Sequence, residues 1–96
     1  MQLKGKVALI AGAGRNNGRS ISLAYAREGA DLILVARTRG DDLKQVAQEC
    51  EALGAKTLQV LADLTKPEEV NRMVQQGLER FNRIDVLMSV AGMRPH

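Results

Sequence analysis

Val7-Ala8-Leu9-Ile10-Ala11-Gly12-Ala13-Gly14-Arg15-Asn16-Asn17-Gly18 is the stretch on which the reading of this chain turns. Its first five residues form an unbroken apolar run, the mark of a strand buried on both faces. Three glycines are spaced through the remainder, and Arg19 to Glu28 behind them has a helical pattern. A strand feeding a glycine turn that opens a helix suits an anion. Glycine lets the backbone approach phosphate oxygens, the free N–H groups of the helix start donate to them, and the helix dipole favours the charge.

The same alternation continues outward from this stretch, whose first strand we read as residues 6–11. Gly29 stops the first helix, and Asp31–Ala36, containing Leu-Ile-Leu-Val, reads as strand two. Asp41 caps a second helix whose apolar positions Leu43, Val46, Ala47, Cys50 and Leu53 follow helical spacing, and Gly54 ends it as the left-handed residue. Lys56–Ala62 is strand three. Thr65-x-x-Glu68 resembles a capping box, with Pro67 in the first turn of a helix that carries Val70, Met73, Val74, Leu78 and Phe81 on one face. Asp85–Val90 is strand four, followed by Ala91-Gly92.

The order βαβαβαβ, with continuous apolar strands and amphipathic helices, calls for an α/β fold. It predicts a parallel sheet covered on both faces, with right-handed crossovers and strand order 3-2-1-4. That is the first half of a Rossmann-type doubly wound fold, formed by residues 1–96 as one half-domain. Strand four is then a very apolar edge, to be completed by further polypeptide or covered by another chain.

Bulk properties narrow the function classes. Of the 96 residues, 45% are hydrophobic and 26% charged, as in ordinary globular domains. The formal charge is +3, but the basic residues are dispersed and line no single helix face, which argues against nucleic acid. The lone Cys50 excludes an internal disulfide, gives no metal-ligand spacing and reads as a small core residue. The N-terminal residues lack a signal-peptide pattern and no apolar run approaches membrane length, so the expected location is cytoplasmic, away from membranes.

Gly12-x-Gly14 opens like a dinucleotide fingerprint, yet the third glycine comes one place late, at Gly18. The segment Ala11–Gly18 resembles instead the turn of the short-chain dehydrogenase/reductase family, Thr-Gly-x-x-x-Gly-x-Gly. Gly12 and Gly18 match its first and third glycines, Asn16 stands at the middle one beside Asn17, and Ala11 replaces the threonine. Asparagine is the residue besides glycine that best tolerates positive φ, so the turn survives, and its amide can bond a phosphate or the local backbone.

Strand two ends in Ala36-Arg37-Thr38-Arg39, about 20 residues beyond the glycines, where such sites meet the adenosine ribose. No acid stands there to accept from a ribose 2′-OH, whereas the Arg37 guanidinium suits a 2′-phosphate. Arg15 can approach the same group, and NADP is expected over NAD. The resemblance implies that Asp63 accepts from the adenine amino group while the Leu64 backbone lies beside it. Read alone, Asp63 serves equally as a cap for the next turn. Ser89-Val90-Ala91-Gly92 occupies the place of the family's Asn-Asn-Ala-Gly, and Ala91 and Gly92 match, bringing the chain close to the cofactor. The candidate cofactor-binding residues are Gly12, Gly14, Arg15, Asn16, Asn17, Gly18, Arg37, Thr38, Asp63, Leu64, Ala91 and Gly92, and no metal site is expected.

The resemblance implies a carbonyl or alcohol oxidoreductase, 3-oxoacyl reductase-like, with a small-molecule substrate and a homo-oligomeric full-length form. The family's proton donor is a tyrosine with a lysine four residues on, aided by a serine. Tyr25 is the only tyrosine, and Gly29 stands four places after it. These 96 residues therefore read as the cofactor half of a longer protein, without catalytic residues and inactive alone. Two alternatives stay open. One is an enoyl-thioester reductase-like member, suggested by Gly14 standing before Ser20-Ile21; the other is a non-catalytic nucleotide-binding or interaction module.

Overall fold

The computed structural model describes residues 3–12, 16–37 and 41–89, the side chains of Asn16, Asp41 and Asp42 apart. Its elements are β1 (Val7–Ala11), α1 (Asn16–Arg27), β2 (Asp31–Ala36), α2 (Asp41–Ala52), β3 (Thr57–Leu61), α3 (Pro67–Phe81) and β4 (Val86–Ser89). The four strands are parallel in the order β3-β2-β1-β4, the expected half of a doubly wound sheet.

Both faces of the central pair are sealed. Ala8 and Ile10 of β1 join Leu32 and Leu34 of β2 under Ala26 of α1 and Leu43, Val46, Ala47 and Cys50 of α2. Val7, Leu9, Ala11, Ile33 and Val35 point the other way and pack with Val60, Ala62 and Met73 of α3. Leu9, Ile10, Leu32, Ile33 and Leu34 are wholly inaccessible to water, each such burial contributing about 1.5–3 kcal/mol. β4 has β1 as its partner among the described residues. Leu87 stays 69% exposed while Leu9, beside it in register, is covered.

Helix ends follow the local chemistry. The Gly29 and Ala30 amides donate to the Ala26 and Tyr25 carbonyls, and those of Gly54 and Ala55 to Glu51 and Cys50, so both glycines terminate their helices as expected. Helix α1 starts at Asn16 rather than Arg19 and so takes in Asn16, Asn17 and Gly18. The capping box does not form. The N-cap of α3 is Lys66, without a side-chain bond, and Pro67 follows it. Thr65 is engaged instead by the Asp63 carboxylate.

Leu53 and Leu78 depart from the expected apolar faces, at 44% and 43% exposure. Leu53 lies beyond the last turn of α2, where the chain has left the helical path. Leu78 is displaced because Gly77, about 100° around the helix from it, makes the close approach. A Cβ on Gly77 would stand 2.5 Å from Ile33 Cδ1 and 3.4 Å from Ile84 Cδ1. Met73 and Gly77 are the buried residues of the helix.

The opposite end of the sheet is tied by Asp85. Its N–H donates to the Val7 carbonyl at 2.8 Å, and its Oδ2 accepts the Val7 N–H at 2.9 Å. Arg83 grips both carboxylate oxygens at 2.8 Å. The guanidinium first, and the Val7 amide second, hold the Asp85 carboxyl below the usual carboxylate range.

Two stability outcomes are expected. Gly77→Ala destabilises the domain by about 1–3 kcal/mol through overpacking, although alanine is intrinsically better by about 1 kcal/mol in a helix. In an Ile33→Val background, which lacks Cδ1, the same change becomes neutral or stabilising. Urea denaturation of the four variants checks the sign reversal. For Asp85, a depressed folded-state pKa means stabilisation that is complete above the unfolded value near 4 and fades as pH falls through the lower folded one. Thermal melts from pH 5 to 2 should show a shallower acid-side loss in Asp85→Asn than in the parent.

Candidate functional site

The parallel register brings the C-terminal ends of all four strands to one edge. Ala11 lies beside Val35 and Ser89, and Ala36 beside Leu61. α1 and α2 pack on one face and α3 on the other, so the crossovers diverge on either side of β1. In open parallel sheets this divergence leaves a crevice beyond the strand ends.

Gly12 leaves β1 with φ +84°, a conformation costly for any residue with a Cβ, and its N–H donates to the Val35 carbonyl at 2.8 Å. Asn16, Asn17 and Gly18 follow as the start of α1, which has no acidic residue in its first turn. Asn16 therefore belongs to the helix instead of serving as a left-handed turn residue. Gly18 is buried, and its carbonyl accepts the hydroxyl of the inaccessible Ser22 at 2.7 Å. That bond satisfies a polar group which burial would otherwise penalise. Arg19, one residue on, is committed to a bidentate pair with Glu49 of α2, at 2.8 and 3.0 Å.

Arg37 is exposed immediately beyond β2, and Asp63 stands two residues beyond β3. Asp63 Oδ1 accepts both the Thr65 N–H at 3.0 Å and the Thr65 hydroxyl at 2.6 Å. Its own N–H donates to Glu69 Oε1 at 2.7 Å. Arg72, one turn of α3 from Glu68, donates to the Leu61 carbonyl at 2.9 Å. The bonds from Thr65 chiefly, and the positive charges of Arg37 and Lys66 to a lesser degree, keep the Asp63 carboxyl below the ordinary range. Arg37 and Asp63 thus share one electrostatic neighbourhood, an acceptor-only carboxylate beside a permanent cation. Leu64 is 40% exposed next to them.

Of the sequence candidates, Gly12, Asn16, Asn17, Gly18, Arg37, Asp63 and Leu64 are brought to this strand-end edge. Gly14, Arg15, Thr38, Ala91 and Gly92 lie outside the described residues. Glu69 and Arg72 escape the motif reading, and Thr65 enters it only as a cap for α3, although Asp-x-Thr is a turn spacing that points to its bond with Asp63. No comparable pattern marks Glu69 and Arg72, which reach back from α3.

Other chemistry is limited. Tyr25 is half-buried against the α1–α2 core. Cys50 is buried, and that burial pushes its thiol up to about 11, so it is a poor nucleophile at neutral pH. Among the described residues no cluster of three His, Cys, Asp or Glu could hold a metal, and no helix is long and apolar enough to cross a membrane.

Known proteins share this fold. The family model described as short chain dehydrogenase matches residues 6–96. A hydroxynaphthalene reductase-like protein from Metarhizium anisopliae is 37% identical over 90 residues, covering 94% of this chain and 34% of its own length. A short-chain type dehydrogenase/reductase from Mycobacterium marinum superposes with a TM-score of 0.84 at 38% identity, over 90% of this chain and 34% of that one. A short chain dehydrogenase from Mycobacterium paratuberculosis, solved bound to NAD, gives 0.90 at 27% identity over 98% and 39%. The chain spans about a third of the length of the relatives it matches.

Proposed function

The chain belongs to the short chain dehydrogenase family, and on that premise we propose that it forms the adenosine- and pyrophosphate-binding half of a cytoplasmic NADP-dependent carbonyl or alcohol oxidoreductase. The carrying observation is the convergence at one sheet edge of Gly12, the acid-free start of α1, Arg37 and Asp63. The Gly12 turn and the free N–H groups of α1 hold the pyrophosphate, with Gly14, Arg15 and Asn16 contributing from the same segment. Arg37 and Thr38 hold the ribose 2′-phosphate, Asp63 and Leu64 the adenine, and Ala91-Gly92 let the chain pass beside the cofactor. The bound dinucleotide supplies or accepts the hydride.

NAD is the competing cofactor, since the Mycobacterium paratuberculosis relative was solved with it. Arg37 favours NADP here: an exposed guanidinium just beyond β2 matches a phosphate dianion, and the preceding Ala36 offers no carboxylate to a ribose hydroxyl. The one tyrosine in these 96 residues, Tyr25, has no lysine four places on to make it a proton donor. It packs against the core, and glycine stands at that place.

Two measurements test this reading. In NMR titrations of the labelled chain, NADP+ should bind more tightly than NAD+. Arg37→Asp should weaken NADP+ about tenfold or more, the loss of a charge-assisted contact of about 1.5–3 kcal/mol, and invert the preference. An unchanged ratio removes Arg37 from the 2′-phosphate. Steady-state oxidation of NADPH by the 96-residue chain with ketone substrates should be undetectable; turnover would show that the catalytic group lies within it.

A further inference from the structure

Three features of the Asp63 loop bear on how it reads a purine. The hydrogen bonds to its carboxylate within the described residues both fall on Oδ1, from the Thr65 N–H and hydroxyl. The Asp63 backbone is fixed separately, its N–H on Glu69 Oε1, and the Leu61 carbonyl at the end of β3 is held by Arg72. Glu69 and Arg72 stand 3.9 Å apart as an i, i+3 pair on α3, so one helix face braces both sides of Ala62. A carboxylate pinned through one oxygen and through its own amide has little freedom left, and its second oxygen presents lone pairs in a set direction.

We propose that Thr65 is a positioning residue that aims Asp63 Oδ2 at the 6-position of a purine, making the site selective for a 6-amino over a 6-oxo base. This rests on the dinucleotide reading above. A 6-amino group donates to the ionised carboxylate, whereas a 6-oxo group sets an acceptor against an acceptor. Thr65 sharpens that discrimination by occupying Oδ1, so the carboxylate does not rotate to a compromise geometry. Glu69 and Arg72 support the backbone but make no contact with the carboxylate, which separates their role from that of Thr65.

The test compares NADP+ with its hypoxanthine analogue, nicotinamide hypoxanthine dinucleotide phosphate, by NMR titration of the labelled chain, alongside Thr65→Val and Thr65→Ser. The parent is expected to favour the adenine form about tenfold or more, the range of one charge-assisted hydrogen bond. Thr65→Val, which keeps the shape and the N–H but loses the hydroxyl, should lower that ratio at least threefold, with hypoxanthine binding unchanged. Thr65→Ser should restore it. In parallel, the carboxyl carbon of Asp63 should titrate at higher pH in Thr65→Val than in the parent or Thr65→Ser. An equal weakening of both dinucleotides, or a ratio that survives the loss of the hydroxyl, overturns the role of Thr65. A parent that binds both bases equally removes Asp63 from base recognition and leaves the glycine turn intact. A parent that binds neither dinucleotide overturns the cofactor reading, and this inference with it.

Discussion

Everything in this domain depends on burying the middle of β1 and β2. Two adjacent parallel strands whose central side chains are covered on both faces require helices on both sides. Parallel pairing also forbids tight turns, so each strand must be followed by a crossover helix that returns the chain to the same end. Sealing the core and collecting the strand ends at one edge are therefore one constraint. The site is a by-product of the packing: Gly12, Arg37 and Asp63 come together because Ala11, Ala36 and Leu61 must lie near one another in the ladder.

The two ends of the sheet use carboxylates in the same way for different ends. Asp85 answers the Val7 N–H through its carboxylate and the Val7 carbonyl through its own N–H at the start of β1, and Arg83 locks it there. Asp63 answers Thr65 where the chain leaves β3. The Asp85 carboxylate is gripped through both oxygens and serves the sheet. The Asp63 bonds converge on one oxygen, so the carboxylate keeps capacity facing outward. Both lie on the surface, where an ion pair alone contributes little; the geometry they impose on the backbone matters more than their charge energy.

How much of this could be read from the sequence depends on whether a signal was local. The limits of β2 agree with its apolar run, and Gly54 ends α2 where its φ allows. The sequence points to a later start for α1 because Asn16, Asn17 and Gly18 are poor helix formers, yet in a first turn tertiary packing outweighs propensity. The spacing of Thr65 suits a cap for α3, but an Asp two residues earlier competes for both of its donors, and spacing rules do not rank such rivals. The pattern puts Leu78 on the buried face because it counts side chains; Gly77, which sets the line of closest approach, has none to count. Glu69 and Arg72 serve a segment behind them in sequence, and no pattern within α3 announces it.

The electrostatics of the helix starts narrow the choice of an anion site. Three helices begin at this edge of the sheet. α3 carries Glu68 and Glu69 in its first turn, so it brings its own negative charge to the positive end of the dipole. A phosphate arriving there would meet carboxylates. α1 opens with Asn16-Asn17-Gly18 and has no acid in its first turn, while Glu49, the acid that reaches across from α2, is neutralised by Arg19. The helix dipole of α1 is thus left uncompensated by its own first turn. Coming directly after the φ +84° turn at Gly12, it is the place where backbone N–H groups and charge balance favour the same ligand.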